Sequence, residues 1–199
     1  MRESVMARAI QKRTLETRAR LTDAAEQIIA ESGFEALRVE EVVLRAGTAK
    51  GTFFAHFRDK DALMDRIIGA RIDALLDELE AGPVPKTVPE IVAALMPVCQ
   101  FMTCERYVFD VILRYSGAAG IAKIGPIAIT FGRQVEVLES WLEHSGFRPD
   151  IPNVLRAEGV HAFMMQAMSL HFCALHNAMS IEERLTPYLD AWLRPVTTR

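Results

Sequence analysis

Apolar residues along this chain recur at three- and four-residue intervals almost throughout, and no convincing alternation of the strand type occurs. Leu21, Ala24, Ala25, Ile28 and Ile29 form the inner face of a first helix, which Gly33 closes, with Phe34 and Leu37 packing near its exit. Val39, Val42, Val43 and Ala46 line a short helix over about 39–46. Gly47 ends it, because glycine tolerates the left-handed conformation that a sharp exit needs. The next helix, about 49–56, leads Phe53 to Phe57 one turn later on the same face. Asp59 can cap a longer helix with apolar positions at Leu63, Ile67, Ile68, Ile72, Leu75, Leu76 and Leu79. Gly82-Pro83-Val84-Pro85 is the strongest break in the chain. Beyond it the periodicity predicts helices at about 88–102, 105–116, 126–145, 152–179 and 181–193, separated at 117–120, 146–149 and Ser180. Ser180 with Glu183 matches a capping box, and Pro195 lies past the last helix. The pattern is that of an all-α chain of about nine helices with no internal repeat or low-complexity tract.

Charge adds direction to this layout. The 199 residues carry a formal charge of -3, unevenly placed. Residues 1–20 hold six Lys or Arg against two Glu, and residues 1–60 hold eleven against nine acids. Residues 61–199 hold twelve against seventeen. Positive charge at the N-terminal end suits attraction to phosphates. The short helix from Thr48 to Phe57 points the same way. It sets Thr48, Lys50, Thr52 and His56 opposite an aromatic core face, a form suited to a DNA major groove.

Other chemistries find little support. Cys99, Cys104 and Cys173 are three in number without CxxC spacing, which predicts a reducing, cytoplasmic setting and no disulfide frame. No apolar export segment is visible at the N-terminus. The 23 residues from Gly159 to Ile181 are uncharged, but they include three histidines and several amide and hydroxyl groups. A helix buried in protein, not one crossing a membrane, is expected there. His161, His171 and His176 do not share one helix face, so no metal site is expected. Neither G-x-S-x-G, a Walker A loop nor a dinucleotide fingerprint occurs, so no enzyme and no cofactor are expected.

The run from Thr17 to Met64 resembles the TetR family of bacterial transcriptional regulators. Its marks are the Ala24-Ala25 pair, Gly33-Phe34, Val39-Glu40-Glu41-Val42, Ala46-Gly47 and Lys50-Gly51-Thr52-Phe53-Phe54-Ala55-His56-Phe57, then Lys60 and Leu63. The resemblance implies a basic N-terminal arm at 1–13 and a three-helix helix-turn-helix DNA-binding domain at 14–58. A linking helix at 59–82 and a ligand-binding and dimerisation domain at 83–199 would follow. It places Thr48, Ala49, Lys50, Gly51, Thr52, Phe53 and His56 on the DNA-reading helix. Phe53 is open between core and groove. Lys60 would meet the phosphate backbone, and Arg38 would begin the preceding helix and reach a phosphate. Three departures from the family pattern stand out. Arg38 stands where a hydroxyl usually caps the helix, Thr48-Ala49 replaces Val-Ser or Val-Thr, and Phe54 replaces a tyrosine.

In the second domain, His161, Met164, Met165, Met168, Phe172 and Leu175 make one stripe, with Ala167, Leu170, Ala174 and Ala178 mostly on another side. A helix apolar on two sides must be covered twice. The resemblance therefore places a homodimer interface on 152–193. It also offers a ligand cavity lined by Phe101, Met102, Tyr107, Phe109, Leu113, Phe131, Trp141, His161, Met164, Met165, Met168 and Phe172, all of which also suit an ordinary core. The expectation is a repressor released from a pseudo-palindromic double-stranded DNA operator by a small, largely apolar or aromatic effector. The alternatives are a dimer acting through a protein partner, and a helical carrier or enzyme.

Overall fold

A computed structural model describes residues 2–117, 124–143 and 146–194, with side chains from residue 11 onward. All regular structure among these residues is helical. In chain order the helices are α1 (Arg2–Ser32), α2 (Val39–Arg45), α3 (Lys50–His56), α4 (Lys60–Ala81), α5 (Val88–Met102), α6 (Arg106–Tyr115), α7 (Pro126–Glu143), α8 (Asn153–His171) and α9 (Ile181–Leu193). The chain divides into two compact units, 1–67 and 68–199, with the boundary inside α4. Residues 118–120, 144–145 and Pro195, named above as breaks and helix ends, lie outside the described residues. The backbone of residues 2–13, read as an arm, is helical and continuous with the rest of α1.

In the first unit, Leu21 and Ile28 of α1, Leu37, Val42, Phe53, Leu63 and Met64 close into one core with essentially no exposed surface. Phe53 and Phe57 meet at 5.5 Å between ring centres, joining α3 to that core. The turn between α2 and α3 depends on Gly47 at φ 61, where a side chain would be strained. The Thr48 amide then donates back to the Val43 carbonyl at 2.9 Å, which fixes the change of direction.

The second unit is built around α5 and the α7–α8–α9 layer. Leu185, Leu189 and Leu193 follow Ile181 at four-residue intervals, and all four are buried. Gly159 lets α8 approach α9 closely, since a Cβ there would collide with the indole of Trp192. That indole donates Nε1–H to the Arg156 carbonyl at 3.0 Å. The Ser180 and Glu183 capping box opens α9 as expected.

One helix is shorter than its pattern implies. The apolar stripe predicts a helix through 179, but α8 ends at His171 and residues 172–180 form turns. Here carbonyls find other donors: Arg106 reaches the Phe172 carbonyl at 3.4 Å and Arg184 the His176 carbonyl at 2.6 Å. Leu175, counted in the stripe, is exposed as a result. No single described helix is long and apolar enough to cross a membrane.

Candidate nucleic-acid interface

The site is organised by which side of α3 is buried. Phe53 is 0% exposed, so it belongs to the core and not to a groove-facing surface; its aromatic neighbours Phe54 and Phe57 explain the choice. Ala49, Lys50, Gly51, Phe54 and Ala55 are exposed, and Thr52 and His56 are partly so. Six of the seven helix residues proposed as DNA contacts therefore lie at least partly at the surface, but Thr48 is compromised. Its hydroxyl oxygen is screened from solvent and meets no partner. No side chain caps α3, whose N-cap is Ala49, nor α2, whose N-cap is Arg38. Glu41 does not fold back to supply the missing acceptor; it pairs with Arg45 at 3.1 Å.

The cations are held by the protein itself. Lys50 Nζ lies 2.5 Å from a Glu40 carboxylate oxygen, an exposed pair that keeps Glu40 below its usual carboxylate range, chiefly through this hydrogen bond. Lys60 donates to the Glu35 carbonyl at 3.2 Å. Arg38 turns one nitrogen onto the carbonyls of Glu35, Ala36 and Leu37 at 2.7, 3.1 and 3.1 Å. In this conformation Arg38 is thus a brace for the turn before α2 rather than an arm extended to a phosphate.

Arg18 was not picked out by the sequence pattern. It donates to the His56 carbonyl at 3.4 Å and lies 5.7 Å from the Phe57 ring centre. Positive charge at the last turn of α3 complements the helix dipole. Burial first, and Arg18 second, push the His56 imidazole below its ordinary range, which favours the neutral ring at neutral pH. Arg45 fixes α2 to α1 through both carboxylate oxygens of Glu31, at 2.6 and 2.8 Å.

In the second unit, Met102, Phe109, Trp141, Met164 and Met168 are buried, whereas Phe101, Tyr107, Phe131, His161, Met165 and Phe172 are partly exposed. Leu113 is 43% exposed, which removes it from an interior lining: α6 turns Val108, Phe109, Val111 and Ile112 inward instead. Phe131 meets His161 edge-on at 4.9 Å, and Phe109 meets Phe172 at 5.5 Å. Burial holds the His161 imidazole down to about 4, so it is neutral at pH 7, and its Nε2 has no partner. Gln134, absent from the sequence-based set, is buried beside this group and donates to the Met164 sulfur at 3.3 Å. Of the twelve proposed ligand residues, Trp141 alone lines the groove of about 510 Å³ found near the end of α4.

Residues 21–67 match the model of "Bacterial regulatory proteins, tetR family". An uncharacterized HTH-type transcriptional regulator of Bacillus subtilis, YvdT, is 29% identical over 100 residues, which are 50% of this chain and 52% of YvdT. The chain thus spans about half the length of that relative. The fold resembles Thermus thermophilus FadR, a TetR-family repressor solved with lauroyl-CoA, at TM-score 0.64 and 16% identity over 88% of this chain and 92% of that one. It also resembles SmeT, repressor of a Stenotrophomonas maltophilia multidrug efflux pump, at TM-score 0.57 and 18% identity over 89% and 90%. Residues 21–67 thus match the sequence model of the tetR family of bacterial regulatory proteins, and the described helices share the fold of solved TetR-family repressors.

Proposed function

We propose that this protein is a DNA-binding transcriptional regulator, a homodimeric repressor released from a pseudo-palindromic operator by a small, largely apolar ligand. The observation that carries the reading is the division of α3 into a buried Phe53–Phe57 face and an outward face bearing Lys50, Thr52 and His56. Lys50 serves a guanine edge or a phosphate once it leaves Glu40, and Thr52 serves a phosphate or a thymine methyl. Two such helices in a dimer read half-sites about one helical turn apart, or a multiple of that spacing. Dimerisation is assigned to residues 152–193, where Leu155 is 48% exposed on α8.

Release by a ligand requires that it bind the DNA-free arrangement more tightly. A 100-fold loss of operator affinity corresponds to about 2.7 kcal/mol of coupling. Helix α4 is the element through which a change in the second unit would be felt in the first, because it contributes residues to both.

The test uses DNA from beside the protein's own gene. Lys50→Ala and His56→Ala are expected to abolish specific binding in a mobility-shift titration while circular dichroism and sedimentation report a folded dimer. Unchanged operator binding by both variants refutes the assigned reader.

A further inference from the structure

We infer that the groove formed by the end of α4, the 82–85 turn and the first half of α5 is a binding site for an amphipathic organic cation. Its volume, about 510 Å³, is that of a small-molecule site. The local sequence accounts for the space. Pro83 and Pro85 restrict the turn, and Ala93, Ala94 and Pro97 present little bulk from α5. Leu79, Val84 and Trp141 supply apolar wall, and Trp141 is buried behind it.

The charge around this space selects the occupant. Glu78 and Glu90 both line the groove, and no Lys, Arg or His does. Glu90 accepts the Lys86 amide at 2.7 Å, which lowers its proton affinity and keeps it ionised at the start of α5. Lys86 is the nearby cation that offsets this charge, through its coulombic effect on Glu90. The neighbouring α4 acids Asp77 and Glu80 do not line the groove and are engaged by Arg133, at 2.6 and 2.7 Å. That leaves an apolar trough with carboxylates at its edge. An apolar body satisfies the wall, and an ammonium or amidinium head satisfies the rim; an acyl carboxylate or sulfate would face repulsion. The contribution of partly exposed carboxylates is modest, so the preference for the cation is expected to be about tenfold.

This assignment goes beyond the regulatory reading and is tested without DNA, so either can fail alone. Calorimetric titration of the full chain compares n-octyltrimethylammonium, n-octanol and n-octyl sulfate, which share one apolar tail. The expected order is cation tightest, alcohol about tenfold weaker, and sulfate weakest. The pair Glu78→Gln and Glu90→Gln is expected to bring the cation to the level of the alcohol; glutamine at 90 keeps an oxygen for the Lys86 amide. Ala93→Trp fills the trough and is expected to weaken the cation and the alcohol together, with an unchanged thermal midpoint showing that the fold is intact. Sulfate binding as tight as ammonium overturns the assignment, as does cation binding unaffected by the double substitution or by Ala93→Trp.

Discussion

Lys50 and Glu40 face one another across α2 and α3 with both side chains more than half exposed, so the pair itself adds little stability. Its consequence lies in binding. On the proposed regulatory reading, a DNA duplex would have to take Lys50 away from a carboxylate and bring its own phosphates near that carboxylate, and both steps would penalise loose, sequence-independent contact. Glu40→Gln is therefore expected to raise affinity for a random-sequence 20-base-pair duplex several-fold at low salt. The plot of log affinity against log salt is expected to steepen by about 0.9, as one more phosphate contact forms. Fluorescence anisotropy across a salt series reads both quantities, and an unchanged slope refutes the idea. At this scale the apolar residues were legible and the long cations were not. The four-residue spacing of Phe53 and Phe57 put both rings on one face, and packing settled Phe53 as core. Arg38 and Lys60 instead reach carbonyls of residues 35–37, a turn whose acceptors exist only once α1 and α2 are in place. The same holds for Arg18, whose partner His56 lies 38 residues away.

Helices with local signals at both ends were read closely. The Gly82–Pro85 break precedes α5, and the Ser180–Glu183 box marks the start of α9. The end of α8 was not legible, because no glycine or proline marks it; arginines from α6 and α9 take carbonyls beyond it. Helix α3 is the opposite case, an element whose local signal is weak and whose position is set by its core face. Ala49 offers its N-terminus no side-chain acceptor, and the Thr48 oxygen is screened. Ala49→Ser is expected to stabilise the protein by about 1 kcal/mol by restoring that acceptor. Urea unfolding of the two proteins checks it: the midpoint rises with an unchanged slope if the cap forms, and an unchanged midpoint shows that α3 draws nothing from its N-cap.

For the whole molecule, the division of labour follows charge and apolar exposure. Lys and Arg outnumber acids over residues 1–60, eleven to nine, and are outnumbered over residues 61–199, twelve to seventeen, which favours phosphate contact by the first unit. The second unit keeps apolar side chains at the surface of α8, notably Leu155 at 48% exposure, although its inner face already buries Ala157, Val160, Met164 and Met168. A second copy of the chain is the occupant that the regulatory reading requires there. Bivalent contact makes this consequential, because joining two readers turns the second half-site encounter into an intramolecular one and multiplies affinity by about 10² to 10⁴. Leu155→Arg places a charge on that surface without entering the core. In a dimer it would have to be buried unpaired against its symmetry mate. The expected outcome is a monomer by sedimentation velocity, unchanged helicity, and an operator affinity at least 100-fold weaker. Binding to a single half-site is expected to be nearly unaffected, because each α3 remains intact. If Leu155→Arg stays dimeric with undiminished operator affinity, the interface does not include this part of α8.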